Sequence, residues 1–348
     1  MNRIELFGVP LHEALRRMGG LHQAARIDRL VDDDGAGRGS RRFRMITGGG
    51  LEVEIHPDRA LDLGNVTYRG APVAWMSPTG VTAPGLGDPR GSHWLRTFGG
   101  GLLATCGLDT FGAPGTANGV EYPLHGRVGL IPGTIHCSGV QEGEVVLEGS
   151  VRQAAVLGEN ILLSRRWSAT IGGSTLRLQD TVRNEGREPV GHMIMYHVNI
   201  GWPLLDESST LTLDSSTVSA RDEASRAGHD AWSTIEPPQA GYREKVFGHE
   251  FDGGGIVTVS LDNPVLDMRF DLSFDSSTLP ALHQWKMSGE GHYVLGLEPV
   301  NVNTFGGRPS ADRLRMTPQL EPGEQVSYRL EFALGPSSSR ESGALRLK

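Results

Sequence analysis

The chain has 348 residues, a formal net charge of −8 and only two cysteines. An acidic balance with no sustained Lys/Arg run excludes a nucleic-acid surface, and two distant thiols, Cys106 and Cys137, exclude a disulfide framework or a four-ligand zinc site. No stretch approaches 18 consecutive apolar residues, and Met1 is followed by neither an apolar core nor a small-residue cleavage signal. A cytoplasmic protein with reduced thiols and no membrane partner is expected.

In chain order, residues 10–18 have apolar side chains at helical spacing and stop at Gly19-Gly20, which predicts a short N-terminal helix. Arg38, Arg41, Arg42 and Arg44 follow Asp32, Asp33 and Asp34, a pattern that reads as a solvated turn. Leu51, Val53 and Ile55 alternate with Glu52 and Glu54, the period of a half-buried strand, before His56-Pro57-Asp58 turns the chain. Arg59 and Asp62 come next, as oxygen-binding groups or as a mutual ion pair. Arg96 sits before Thr97 and the run Phe98-Gly99-Gly100-Gly101-Leu102, which is no phosphate loop, because neither a helix nor Lys-Ser/Thr follows.

Leu124-His125-Gly126-Arg127 joins a histidine to a glycine that permits close approach and to an arginine that can hold oxygens. A loop histidine packed on its own turn is the alternative. Residues 145–151, 164–171 and 175–182 then form consecutive strands between Gly-rich turns, with more strands at 255–261 and 325–334. His197 and Asn199 share one side of the apolar strand Met195-Tyr196-His197-Val198-Asn199-Ile200-Gly201. Residues 219–231 lack a clear apolar face and read equally as loop or helix. Gln284-Trp285-Lys286-Met287 offers an aromatic face and a cation. Leu297-Glu298-Pro299 sets a carboxylate in an apolar strand, where an unpaired charge costs several kcal/mol or more. The tail, residues 335–348, has the composition of a disordered segment. Short strands, frequent turns and 48 glycines spread along the chain predict one all-β unit over residues 1–334, a large antiparallel sandwich or barrel.

Leu124-His125-Gly126, Tyr196-His197-Val198-Asn199 and Leu297-Glu298-Pro299 resemble, in order and spacing, the galactose mutarotase (aldose 1-epimerase) superfamily. Pro57-Asp58-Arg59-Ala60-Leu61-Asp62-Leu63-Gly64, the run from Gly100 to Asp109 and Gln284-Trp285-Lys286 resemble, more narrowly, an uncharacterised aldose-epimerase-like branch. The resemblance implies a β-supersandwich and an isomerase that interconverts the anomers of a free aldose. In it His197 gives a proton to the ring oxygen, Glu298 takes the anomeric hydroxyl proton, and His125 steadies the sugar's oxygens. No metal or cofactor is needed, and side-chain tips about 5–8 Å apart, with the sugar between them, would suit direct transfer. Arg127, Asn199, Trp285, Lys286, Arg96, Arg59 and Asp109 are the further candidate binders.

The chain departs from the family pattern after the acid histidine, where Val198-Asn199-Ile200-Gly201-Trp202 replaces aromatics. It departs again where Ile235-Glu236-Pro237-Pro238-Gln239-Ala240-Gly241 lacks the usual sugar-binding aspartate. The partner is a small sugar, a neutral aldose rather than an anionic one, and nothing in the sequence specifies an oligomeric state. A non-catalytic carbohydrate-binding or regulatory domain is the main rival. A cupin-like metal enzyme lacks its His-x-His pair, and a glycosidase would want two carboxylates where one stands out.

Overall fold

In the computed structural model, which describes residues 4–338, two large antiparallel sheets account for most of the chain. The eight-stranded sheet runs Thr134–Gln141, Glu144–Ala154, Asn160–Thr170, Thr175–Asn184, Gln325–Gly335, Met268–Asp275, Ile256–Asn263 and Thr210–Thr212 from edge to edge. Its register aligns Leu147, Trp167, Leu178, Leu330 and Phe274 across five strands, all buried. Alternation along each strand turns this row to the other sheet and the intervening polar residues outward.

The larger sheet has eleven strands. From one edge it runs Thr217–Ala220, Lys245–Glu250, Ala281–Gly289, His292–Val300, Met195–Gly201, Leu103–Cys106, Asp62–Tyr68, Leu51–His56, Arg41–Ile46 and Arg26–Val31, with Ala71–Pro72 paired to Asp62–Tyr68. Tyr196, Val198, Ile200, Leu295 and Leu297 belong to the core cluster shared with the eight-stranded sheet. This is an all-β supersandwich: the strand and turn pattern predicted a large antiparallel sandwich or barrel, and the family resemblance implied the supersandwich.

A buried ionic cluster pins the two sheets together. Arg165 donates to Asp180 Oδ2 and Asp62 Oδ1 at 2.7 Å each, to Thr105 Oγ1 at 2.8 Å and to the Ala60 carbonyl at 3.0 Å. The Tyr196 hydroxyl donates to Asp180 at 2.9 Å. Asp62 is therefore engaged by Arg165 rather than by Arg59, and the expected Arg59–Asp62 pair does not form.

The arginine-rich segment is also a strand rather than a turn. Within Arg41–Ile46, Arg41 pairs with Asp58, Arg42 with Asp32 and Glu54, and Arg44 with Glu52, so each guanidinium is neutralised by a neighbouring strand or loop. The N-terminal helix is short, Leu11–Leu15. The ambiguous 219–231 segment contains the helix Glu223–Ala227, whose N-cap Asp222 accepts from Ser225 N at 2.9 Å. At the C-terminus Gly335 ends a strand and Ser337 is buried; residues 339–348, where most of the expected disordered tail falls, lie outside the described residues.

Candidate active site

On the outer face of the eleven-stranded sheet one cross-strand row brings three titratable side chains together. The pairs His197↔Ala104, His283↔Glu298 and Gly248↔His283 are in register, and Met195↔Val300 with Val198↔Leu297 bring His197 opposite Glu298. Directly opposed residues share a face, so the row reads Ala104, His197, Glu298, His283, Gly248. Two small residues flank three titratable ones. One step along, Gly296 leaves the space that Glu298 occupies: a Cβ there would lie 2.6 Å from Glu298 Oε1 and 2.9 Å from Trp285 Cβ.

Loops roof this row to give a cavity of about 450 Å³, within the usual range for small-molecule sites. Trp94 and Phe98 stack at 4.0 Å and wall one side, with the Phe98 ring 5.3 Å from that of His197. Trp285 stands on the other side, 5.6 Å from His197. His125 enters from a loop in the left-handed region at φ 58, its ring 4.5 Å from Trp94 and 5.6 Å from His197. Gly126 must follow it, because a Cβ there would meet the Gly107 and Thr110 carbonyl oxygens at 2.3 and 2.6 Å. Gly112 N donates to His125 Nδ1 at 3.4 Å, which leaves the neutral ring's proton on Nε2.

His197 Nε2 lies 3.2 Å from Glu298 Oε1. The expected separation of about 5–8 Å, with a sugar between the two tips, is thus overturned: the side chains touch. The approach is not angled as a hydrogen bond, and neither Glu298 Oε1 nor His197 Nδ1 has a hydrogen-bond partner among the described residues. Burial pushes the Glu298 carboxyl up to about 8, reinforced by the Glu244 charge and opposed by Arg221. Burial likewise pulls His197 down to about 4 and His283 to about 4, and takes His125 well below its ordinary value with help from His197 and His283. At neutral pH the pair holds its proton on the carboxyl, facing a neutral imidazole.

His125, His197, Trp285 and Glu298 share the cavity; the other candidates do not line it. Arg127 turns into its own loop, donating to Asp109 Oδ2 at 2.8 Å and to the Glu121 carbonyl at 3.1 Å, while the buried Asp109 Oδ1 has no hydrogen-bond partner among the described residues. Lys286, next to Trp285, must face the opposite side of the strand, where it donates to the Ala231 and Thr234 carbonyls at 2.9 and 2.7 Å. Asn199 lies one step from His197 but donates to the Gly101 and His197 carbonyls at 3.0 Å each. Arg59 donates to the Thr97 carbonyl at 2.9 Å, and Arg96 is exposed away from the cavity. Glu236, at the position of the missing aspartate, pairs with Lys245 and accepts from the Tyr242 hydroxyl.

Sequence reasoning missed Trp94, Phe98, Phe305, His283, Arg221 and Glu244, all of which line the cavity. Of these only His283 carried a signal, since it precedes Trp285 by two residues on the same strand face. Glu244 accepts from Trp285 Nε1 at 2.9 Å and from Arg221 at 2.8 Å. Among the described residues no three His, Cys, Asp or Glu side chains converge to hold a metal, and no helix is long and apolar enough to cross a membrane.

Residues 37–334 match the family model described as a domain of unknown function, DUF4432. No curated protein matches the chain. Among solved structures, a Klebsiella pneumoniae protein provisionally named an aldose 1-epimerase superposes with a TM-score of 0.84 at 24% identity, over 91% of this chain and 85% of that one. A galactose 1-epimerase from Lactobacillus acidophilus gives 0.61 at 12% identity, over 89% and 99%. The aldose epimerase homologue from C. elegans gives 0.55 at 11%, over 86% and 100%. The chain belongs to the DUF4432 family and is built on a β-supersandwich of the galactose mutarotase type.

Proposed function

We propose that this protein is a cofactor-independent aldose 1-epimerase, with Glu298 and His197 as its proton-transfer pair. The observation that carries the reading is their contact: two buried, oppositely shifted titratable groups 3.2 Å apart, both opening onto one cavity. The two oxygens that must exchange protons in anomerisation, the anomeric hydroxyl and the ring oxygen, sit on the same carbon. An acid and a base that serve both must therefore be close neighbours. A pair in contact meets this demand better than one straddling the ring.

Proton bookkeeping gives the contact a second use. The neutral pair and the ion pair Glu298 carboxylate–His197 imidazolium hold the same number of protons. From the ion pair, Glu298 takes the proton of the anomeric hydroxyl as the ring C–O bond breaks, and His197 gives its proton to the departing ring oxygen. The products are the open-chain aldehyde and the neutral pair. Rotation about the C1–C2 bond and reversal of both transfers close the ring as the other anomer and restore the ion pair. Burial favours the neutral pair, which is therefore the resting state, so a proton passes from Glu298 to His197 across the 3.2 Å contact before the ring opens, and ring opening returns the pair to its favoured state. His125 Nε2 supplies a donor to a sugar oxygen.

Anomer exchange of free aldoses, followed by saturation-transfer NMR, tests the reading. Glu298→Gln and His197→Asn are each expected to slow exchange by about 10²–10⁴-fold while sugar binding stays measurable. Full activity in either variant removes the assignment. Binding without exchange by the unaltered protein would make it a carbohydrate-binding domain.

A further inference from the structure

The cavity does not end at Trp285. A second compartment of about 280 Å³ adjoins it and shares Leu95, Phe98, Glu244 and Trp285 with it. Its own walls are Trp75, Met287 and Pro78, with Ser77 and Thr79, whose hydroxyls donate to the Phe98 carbonyl, and the exposed His292 beside them. Trp75 stands edge-on to Trp285 at 6.0 Å and lies 5.8 Å from Phe98, so three aromatic rings enclose the junction. Glu244 sits at that junction and is oriented by the Trp285 and Arg221 hydrogen bonds, with acceptor capacity toward either compartment. Among the described residues lining the second compartment there is no Lys or Arg.

An apolar, aromatic shelf with one oriented carboxylate suits a flat, neutral ring that carries hydroxyls, not a phosphate or a uronate. If the first compartment exchanges anomers, the occupant of the shelf cannot hang from the anomeric carbon, because a substituent there blocks ring opening. It must belong to the non-reducing side of the substrate. Resting on the proposed anomer exchange, we infer that the natural substrate is a reducing disaccharide. Its reducing ring lies against His197 and Glu298, and its second ring lies on the Trp75–Met287 shelf. Glu244 accepts hydroxyls from both rings.

Binding tests the shelf separately from catalysis. Glucose is compared with maltose, cellobiose and lactose, which all end in glucose, by saturation-transfer difference NMR and calorimetry on the full chain. At least one disaccharide is expected to bind about three- to tenfold tighter than glucose, the gain that one aromatic face supplies, with saturation reaching both rings. Trp75→Ala removes a shelf wall, and Met287→Trp fills the shelf without opening a cavity. Each is expected to return that disaccharide to the affinity of glucose and to leave glucose within about twofold. The inference is overturned if no disaccharide binds tighter than glucose, or if both variants weaken glucose and disaccharide alike. Tight disaccharide binding without exchange would remove the epimerase reading and leave the shelf; glucose exchange without a disaccharide advantage would do the reverse.

Discussion

Tyr196 and His197 are neighbours on one strand, yet they serve two opposite kinds of buried polar cluster. On the inner face, Tyr196, Asp180, Arg165, Asp62 and Thr105 form a network in which both charge signs are present and the Arg165 guanidinium makes five hydrogen bonds. On the outer face, His197 and Glu298 are buried and His125 is half-buried beside them, but among the described residues no cation pairs with Glu298 within salt-bridge distance, and the ring it touches, His197, is neutral. Burial raises the Glu298 carboxyl to about 8, whereas Asp180 has the Arg165 guanidinium at 2.7 Å. Buried polarity that is satisfied builds the fold; buried polarity left open is where chemistry is to be sought.

The largest way to break this contrast is on the satisfied side. Asp180→Ala leaves a buried guanidinium short of a carboxylate and is expected to destabilise the fold by about 3–5 kcal/mol, measured by denaturant unfolding. Glu298→Gln should act in the opposite sense. A folded carboxyl raised from 4.5 to about 8 binds more protons than the unfolded one, so its stabilising contribution is complete at low pH and is lost as pH rises through 8. His197, lowered from 6.5 to about 4, contributes the reverse slope, and only below 6.5. Between pH 6.5 and 8 Glu298 acts alone. There the unaltered protein is expected to lose about 1–2 kcal/mol relative to Glu298→Gln. Parallel stability–pH curves for the two proteins would place Glu298 among the compensated groups.

Gly296→Ala tests the space around the carboxylate. Its new methyl meets Glu298 Oε1 and the Trp285 stem, so about a tenfold loss of exchange is expected, alongside about 1–3 kcal/mol of destabilisation from overpacking. Arg96→Ala gives the smallest effect: the side chain is exposed away from the cavity, and exchange should stay within about twofold.

What could be read in advance follows the same division. Strand alternation at Leu51–His56 and the serial strands from Glu144 to Asn184 were legible, because period-2 burial is written locally. His125, His197 and Glu298 stood out because each interrupts apolar sequence. Alternation alone excludes Lys286 once Trp285 faces the cavity, a deduction open to sequence reasoning and not made there. The partners of Arg59, Arg127 and Asp109 were not legible, since their hydrogen bonds run to loop carbonyls and to neighbours fixed only by the fold. Trp94, Phe305, Arg221 and Glu244 lie outside the strands, on segments that only the fold brings over the cavity, and gave no local sign.

The row from Ala104 through His197, Glu298 and His283 to Gly248 also bears on how the molecule is made. Its five members lie on five strands, and the chain visits them in an order unlike their order in the sheet. Pairing the strand of Ala104 with that of His197, and the latter with that of Glu298, closes long loops whose entropy must be lost before any contact repays it. No contiguous fragment that stops short of Glu298 can assemble the pair. During refolding, secondary structure is therefore expected to recover before sugar turnover, and turnover becomes a chemical reporter of the last long-range pairings.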